Sequence, residues 1–226
     1  MKKIILSLLL GGVVFTSCKK DEVNPEETVT PTTTSRIQID SKTTASSKTV
    51  TLFADNANLY TGANNLYVKI TDAAGLPVNN AVITYMPMMQ MTSMFHSSPA
   101  ESPNYNSDLE MYKGLVVFTM ASTAGSWTLS VDVDGESVVF DLNVIDSATK
   151  MVGSYSGTDG ASYVISLLRP VNWTVGMNDI EIMIHKKETM MSFIPVNDFT
   201  VVMTPEMISM GHGSPNNVSP TFVSNG

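Results

Sequence analysis

The chain reads as all-β, and three observations carry that reading. From Val50 onward, short runs of alternating apolar and polar residues are separated by turn residues. An Asp134-Gly135 pair stands between two such runs, which is a strong short-range hairpin signal. No stretch combines a sustained helical period with caps at both ends.

Taken in order, the first 17 residues are a leader. Lys2 and Lys3 form a basic start, and Ile4 to Phe15 is an apolar run too short to span a bilayer. The small residues Thr16-Ser17 immediately before Cys18 resemble a bacterial lipoprotein signal, which implies cleavage before Cys18 and lipidation of that cysteine. Lys19-Lys20-Asp21-Glu22 is similar to the charged tract of Bacteroidota lipoproteins. The expectation is a cell-envelope protein held to the membrane by its lipid anchor, on the periplasmic or cell-surface face of the outer membrane. Cys18 is the single cysteine, so the mature chain has neither a free thiol nor a disulfide, and thiolate metal sites are excluded. With 13 Lys and Arg against 21 Asp and Glu, the formal charge is −8, which argues against a nucleic-acid partner.

Residues 18–48 are rich in Thr, Ser, Lys, Glu and Pro, and bury too little apolar surface to offset the entropy of ordering. They are expected to form a disordered tether, with room for a short β segment around Arg36 to Asp40. Residues 49–146 carry six candidate strands: Val50–Ala54, Asn65–Thr71, Ala81–Met86, Gly114–Met120, Gly125–Val133 and Glu136–Val144. Trp127, Leu129, Val131 and Val133 fall on one face, with Ser130 and Asp132 on the other. That density of short strands points to an immunoglobulin-like sandwich.

A second unit, 150–226, repeats part of the first. Asn172 to Ile184 lies over Asn58 to Ile70, with Gly176 on Gly62 and Asn178 on Asn64, an offset of 114 residues. After its Ser214-Pro215 only Asn216 to Gly226 remain, without counterparts to Gly114, Phe118 or Trp127. The sequence thus predicts two tandem immunoglobulin-like domains, the second truncated.

Both units contain a methionine-rich segment ending in Met-x-His-x-Ser-Pro. In the first it runs from Met86 to Pro99, in the second from Met203 to Pro215. Methionine is abundant at 16, and two of the three histidines lie in these segments. Thioether and imidazole are the ligand types copper favours, Cu(I) above all. Met91, Met94 and His96, and likewise Met207, Met210 and His212, are the candidate ligands. Met86 and Met88 have the opposite strand parity from Met89 and Met91, so these four cannot meet at one ion. The competing reading is that methionine, an adaptable filler, caps the end of each sandwich. His185 has no Met-x-His context and reads as a surface histidine.

The order of features resembles the YtkA-like/FixH-like family of small extracytoplasmic β-sandwich domains. It is carried by Asn65–Ile70, Pro77, Met86-Pro87, Met94-Phe95-His96, Tyr112-x-Gly114, Val116-x-Phe118-x-Met120 and Gly125-x-Trp127, and again by Asn178–Ile184, Met203, Pro205 and Met210-Gly211-His212. The resemblance implies copper handling or a role in oxidase assembly, with an envelope protein or a copper acceptor as partner. No catalytic constellation accompanies it. Glu101, Asp108 and Glu110 read as a solvated loop, and Ser97, Ser98 and Ser214 lack a nucleophile elbow. The chain is therefore expected to be a metal-binding module and not an enzyme. The alternative is a structural or adhesive lipoprotein whose methionine loops pack or contact a protein.

Overall fold

The computed structural model describes residues 35–223. The predicted leader, Cys18 and the first part of the predicted tether lie outside the described residues. In chain order the strands are β1 (Ile37–Thr43), β2 (Thr49–Ala54), β3 (Leu59–Tyr60), β4 (Gly62–Thr71), β5 (Ile83–Gln90), β6 (Phe95–Ser97), β7 (Ala100–Asn106), β8 (Met111–Phe118), β9 (Ser126–Val133), β10 (Glu136–Leu142) and β11 (Val144–Ile145). They form a five-stranded sheet ordered β1-β2-β4-β8-β7 and a four-stranded sheet ordered β10-β9-β5-β6, with β11 pairing β3 in parallel. All other pairings in the two sheets are antiparallel.

The period-2 pattern explains why these sheets stack. Val50, Leu52, Leu66, Val68, Val116 and Phe118 of the first sheet and Trp127, Leu129, Val131, Val133 and Phe140 of the second are all buried in one cluster. Burial of each such large side chain contributes about 1.5–3 kcal/mol. The Asp134-Gly135 hairpin forms as its sequence predicts. Both residues have positive φ, 55° and 89°, as a two-residue turn matched to strand twist requires. Asp134 also accepts hydrogen bonds from the Val82 N–H and from Lys48 Nζ, each at 2.9 Å.

The tether boundary at 48 is set too late by the sequence. β1 occupies Ile37–Thr43 and pairs along β2. It is an edge strand with polar residues on most positions, and only Ile39 packs against the core. Its composition is therefore that of a linker, although its backbone is paired.

Beyond Ile145 come β12 (Val152–Ser156), β13 (Ser162–Arg169), β14 (Glu181–Lys187) and β15 (Phe193–Pro195), which form one antiparallel sheet in chain order. After it stands a small ribbon, β16 (Glu206–Met207) with β17 (His212–Gly213). All described residues fall in one compact unit, so this sheet packs on the sandwich. At the junction, a Cβ added to Gly62 would lie 2.8 Å from Met151 Cβ.

The internal repeat is visible in the hydrogen bonding. Asn64 accepts from the Tyr60 N–H and donates to the carbonyls of Tyr60 and Gly62. Asn178 accepts from the Thr174 N–H and donates to the carbonyls of Thr174 and Gly176. Gly62 and Gly176 have φ of 110° and 111°. The same turn is built twice from the same residue types.

Candidate metal centre

A tight turn separates the predicted donors into two paired segments in each motif. In the first, β5 and β6 form a hairpin in which Met89 faces His96 and Met88 faces Ser97. The Met91 N–H donates to the Met94 carbonyl at 2.8 Å and closes the turn. Cross-strand pairing puts Met89, His96 and Trp127, the partner of Met89 in β9, on one face, with Met91 and Met94 flanking the turn. Met89 is fully buried and Met91 packs against the core, while Met94 is 49% exposed. The donors therefore run from the sandwich interior to its end. His96 lies within a short strand, where the sequence suggested loop.

His96 meets the edge of Trp127 with ring centroids 5.8 Å apart and perpendicular planes. Trp127 is held by Phe118 at 5.1 Å and by donation from its Nε1–H to the Met120 carbonyl at 2.9 Å. His96 Nδ1 lies 2.8 Å from the Ser97 carbonyl. A carbonyl only accepts, so the proton is on Nδ1 and the Nε2 lone pair is free in the neutral ring. Such an orienting bond is what metal-ligating histidines use.

The second motif repeats this arrangement in the open. Met207 and His212 are cross-strand partners in the β16–β17 ribbon, and the N–H groups of Met210 and Gly211 donate to the Met207 carbonyl. His212 Nδ1 lies 3.0 Å from the Gly213 carbonyl, the same anchoring to the next residue. Met207 and Met210 are 50% and 67% exposed. The donor types match the first motif, but all four strand residues of the ribbon are exposed.

Sequence reasoning missed one neighbour of the first hairpin. The turn between β14 and β15 holds Met190 and Met191, and the Met190 carbonyl accepts a hydrogen bond from the Ser97 N–H at 2.8 Å. Nothing short of tertiary structure connects that turn to His96. The Thr189-Met190-Met191 run was the available hint.

His185 is corrected by the structure. It is 3% exposed, on the face of β14 shared with Met183 and opposite Val164 of β13. Its Nδ1 and the nearby Ser166 hydroxyl are buried without a partner among the described residues. Burial pushes its pKa down to about 4. Glu101 is also more enclosed than a solvated loop would allow. It sits on β7 with a buried Oε1 that has no hydrogen-bond partner among the described residues, and burial raises its pKa. It lines a cleft of about 1010 Å³ together with Lys113, Met151 and Met183. Asp108 and Glu110 are exposed. The hydroxyls of Ser97 and Ser98 donate to the carbonyls of Pro87 and Val117.

Among the described residues no group of three or more His, Cys, Asp or Glu side chains converges. The candidate donors of the two hairpins are thioethers and imidazoles. Compared with models of protein families, with curated proteins and with solved structures, the chain matches none.

Proposed function

We propose that this chain is a lipid-anchored cell-envelope protein that binds Cu(I) through its methionine/histidine hairpins and holds it for a partner. One observation carries the reading: in both motifs a His sets Nδ1 within hydrogen-bond distance of the following carbonyl, in a hairpin whose turn is flanked by methionines. Bound copper would be a soft monovalent centre for neutral thioether and imidazole donors, held in the first hairpin by Met91, Met94 and His96. Zinc would draw on more nitrogen or carboxylate than these donors supply. The resemblance to the YtkA-like/FixH-like family and the lipoprotein-like leader before Cys18 agree with copper handling in the envelope. Delivery to an envelope protein or another copper acceptor is the role such a module would serve.

A second reading has its own support. Trp173, Val175, Met177 and Ile208 are large apolar residues left exposed after β13. A structural or adhesive protein would use such a surface to contact a partner, with the methionines as packing.

Competition with a chromogenic Cu(I) chelator separates the two. Met91→Leu with Met94→Leu preserves volume and apolarity, so folding changes by less than about 1.5 kcal/mol. The Cu(I) affinity of the first hairpin is expected to fall at least about tenfold, equivalent to about 1.4 kcal/mol. Equal competition by wild type and variant would establish the packing reading.

A further inference from the structure

We infer that the β14–β15 turn supplies a third thioether to the His96 site, so that the site is complete only when the second sheet is docked on the sandwich. This rests on the copper reading of the first hairpin. β6 is the outer strand of its sheet, and an outer strand leaves alternate N–H groups without a strand partner. The residue after His96 has its N–H taken by the Met190 carbonyl at 2.8 Å. That bond holds the backbone of the turn about one strand spacing, roughly 5 Å, from β6. A methionine side chain has three rotatable bonds and spans that distance.

The turn is itself well defined. The N–H groups of Glu188 and Thr189 donate to the Ser192 carbonyl, and the Met191 N–H donates to Thr189 Oγ1. Two consecutive methionines are thus fixed at the edge of a strand that carries the candidate imidazole. Both methionines lie in the bend of this turn, next to the carbonyl that binds the Ser97 N–H, one residue from His96. Met190 is 39% exposed and Met191 is partly covered. Met91 and Met94 provide two sulfurs and His96 one nitrogen. A third sulfur from this turn completes a four-donor set of neutral ligands suited to Cu(I).

The test uses the full chain carrying Met207→Leu, Met210→Leu and His212→Asn, so that only the first hairpin is read. Into it go Met190→Leu and Met191→Leu, separately and together, with the exposed Met177→Leu as control. The joint variant is expected to lose about tenfold or more in Cu(I) affinity in the chelator competition. X-ray absorption at the copper edge should count one sulfur fewer, and the single variants assign which methionine supplies it. Tryptophan fluorescence and the urea midpoint establish that each variant is folded. A joint variant that matches its parent in affinity and sulfur count overturns this inference and leaves the hairpin site standing. A parent that binds no Cu(I) overturns both.

Discussion

His185 illustrates how one residue's role depends on a choice that alternation alone leaves open. Ile182 and Ile184 lie on one side of β14, and Met183 and His185 on the other. Hydrophobicity favours the isoleucine side as the buried one, as in the matching strand β4, where Val68 and Ile70 are in the core. Yet Met183 and His185 are the more deeply buried pair, while Ile182 and Ile184 line a groove of about 540 Å³. The face was therefore illegible in the sequence, because a lone sheet packed on a neighbour has no intrinsic inside. Burial of this histidine makes stability depend on pH. The unfolded chain's histidine takes up its proton near pH 6.5, whereas in the fold His185 resists protonation until about pH 4. Its neutral form is the one the fold accommodates, so stability is intact above pH 6.5 and falls as the pH drops from 6.5 towards 4. At pH 5 the loss from this residue is about 2 kcal/mol. Asp134 and Glu136, held below the usual carboxylate range by Lys48 and Ser46, lose their contribution only at lower pH. Urea midpoints at pH 7.5 and 5.0 check this. Wild type should lose stability between them and His185→Leu should lose markedly less; equal losses would contradict it.

At the scale of elements, the strands with clean alternation were legible, and the polar or very short ones were not. β2, β4, β5, β8, β9 and β10 announce themselves because each buries a full face. β1 and β7 are the outer strands of the five-stranded sheet and look like linker and loop, since their backbones are paired while their side chains face mostly outward. β6 is hidden by its length of 3 residues. The repeat was legible because its turn needs Gly and Asn at fixed positions. That turn yields a paired prediction. Gly62 and Gly176 share a left-handed backbone, so Ala at either strains it by about 1–2 kcal/mol. Around Gly176 the added methyl meets open space, whereas at Gly62 it would press on Met151. Overpacking there adds about 1–3 kcal/mol. Gly62→Ala should therefore lower the urea midpoint clearly more than Gly176→Ala. Equal effects would mean that the chain around Met151 does not press on β4.

For the whole molecule, every member of the main buried cluster lies between Val50 and Val144, in the sandwich that the sequence predicts. Past that point the sequence predicts a partial second sandwich, whereas the chain forms one four-stranded sheet and a ribbon. Donor chemistry and spacing single out Met91, Met94 and His96 as candidates. Trp127 as neighbour of His96, and Met190 beside Ser97, were not, since those contacts join segments distant in the chain. The same residue types sit against the buried core in one motif and on an exposed ribbon in the other. In the proposed site copper meets Nε2 of His96 and the sulfurs of Met91 and Met94. Methionine-methyl and histidine-nitrogen NMR spectra recorded as Cu(I) is added, with reductant present and without oxygen, test it most directly. The account predicts shifts at the Met91 and Met94 methyls and at His96 Nε2, with Nδ1 still protonated and Met86 on the opposite face unmoved. Copper-induced shifts confined to other residues, or none at all, would contradict it.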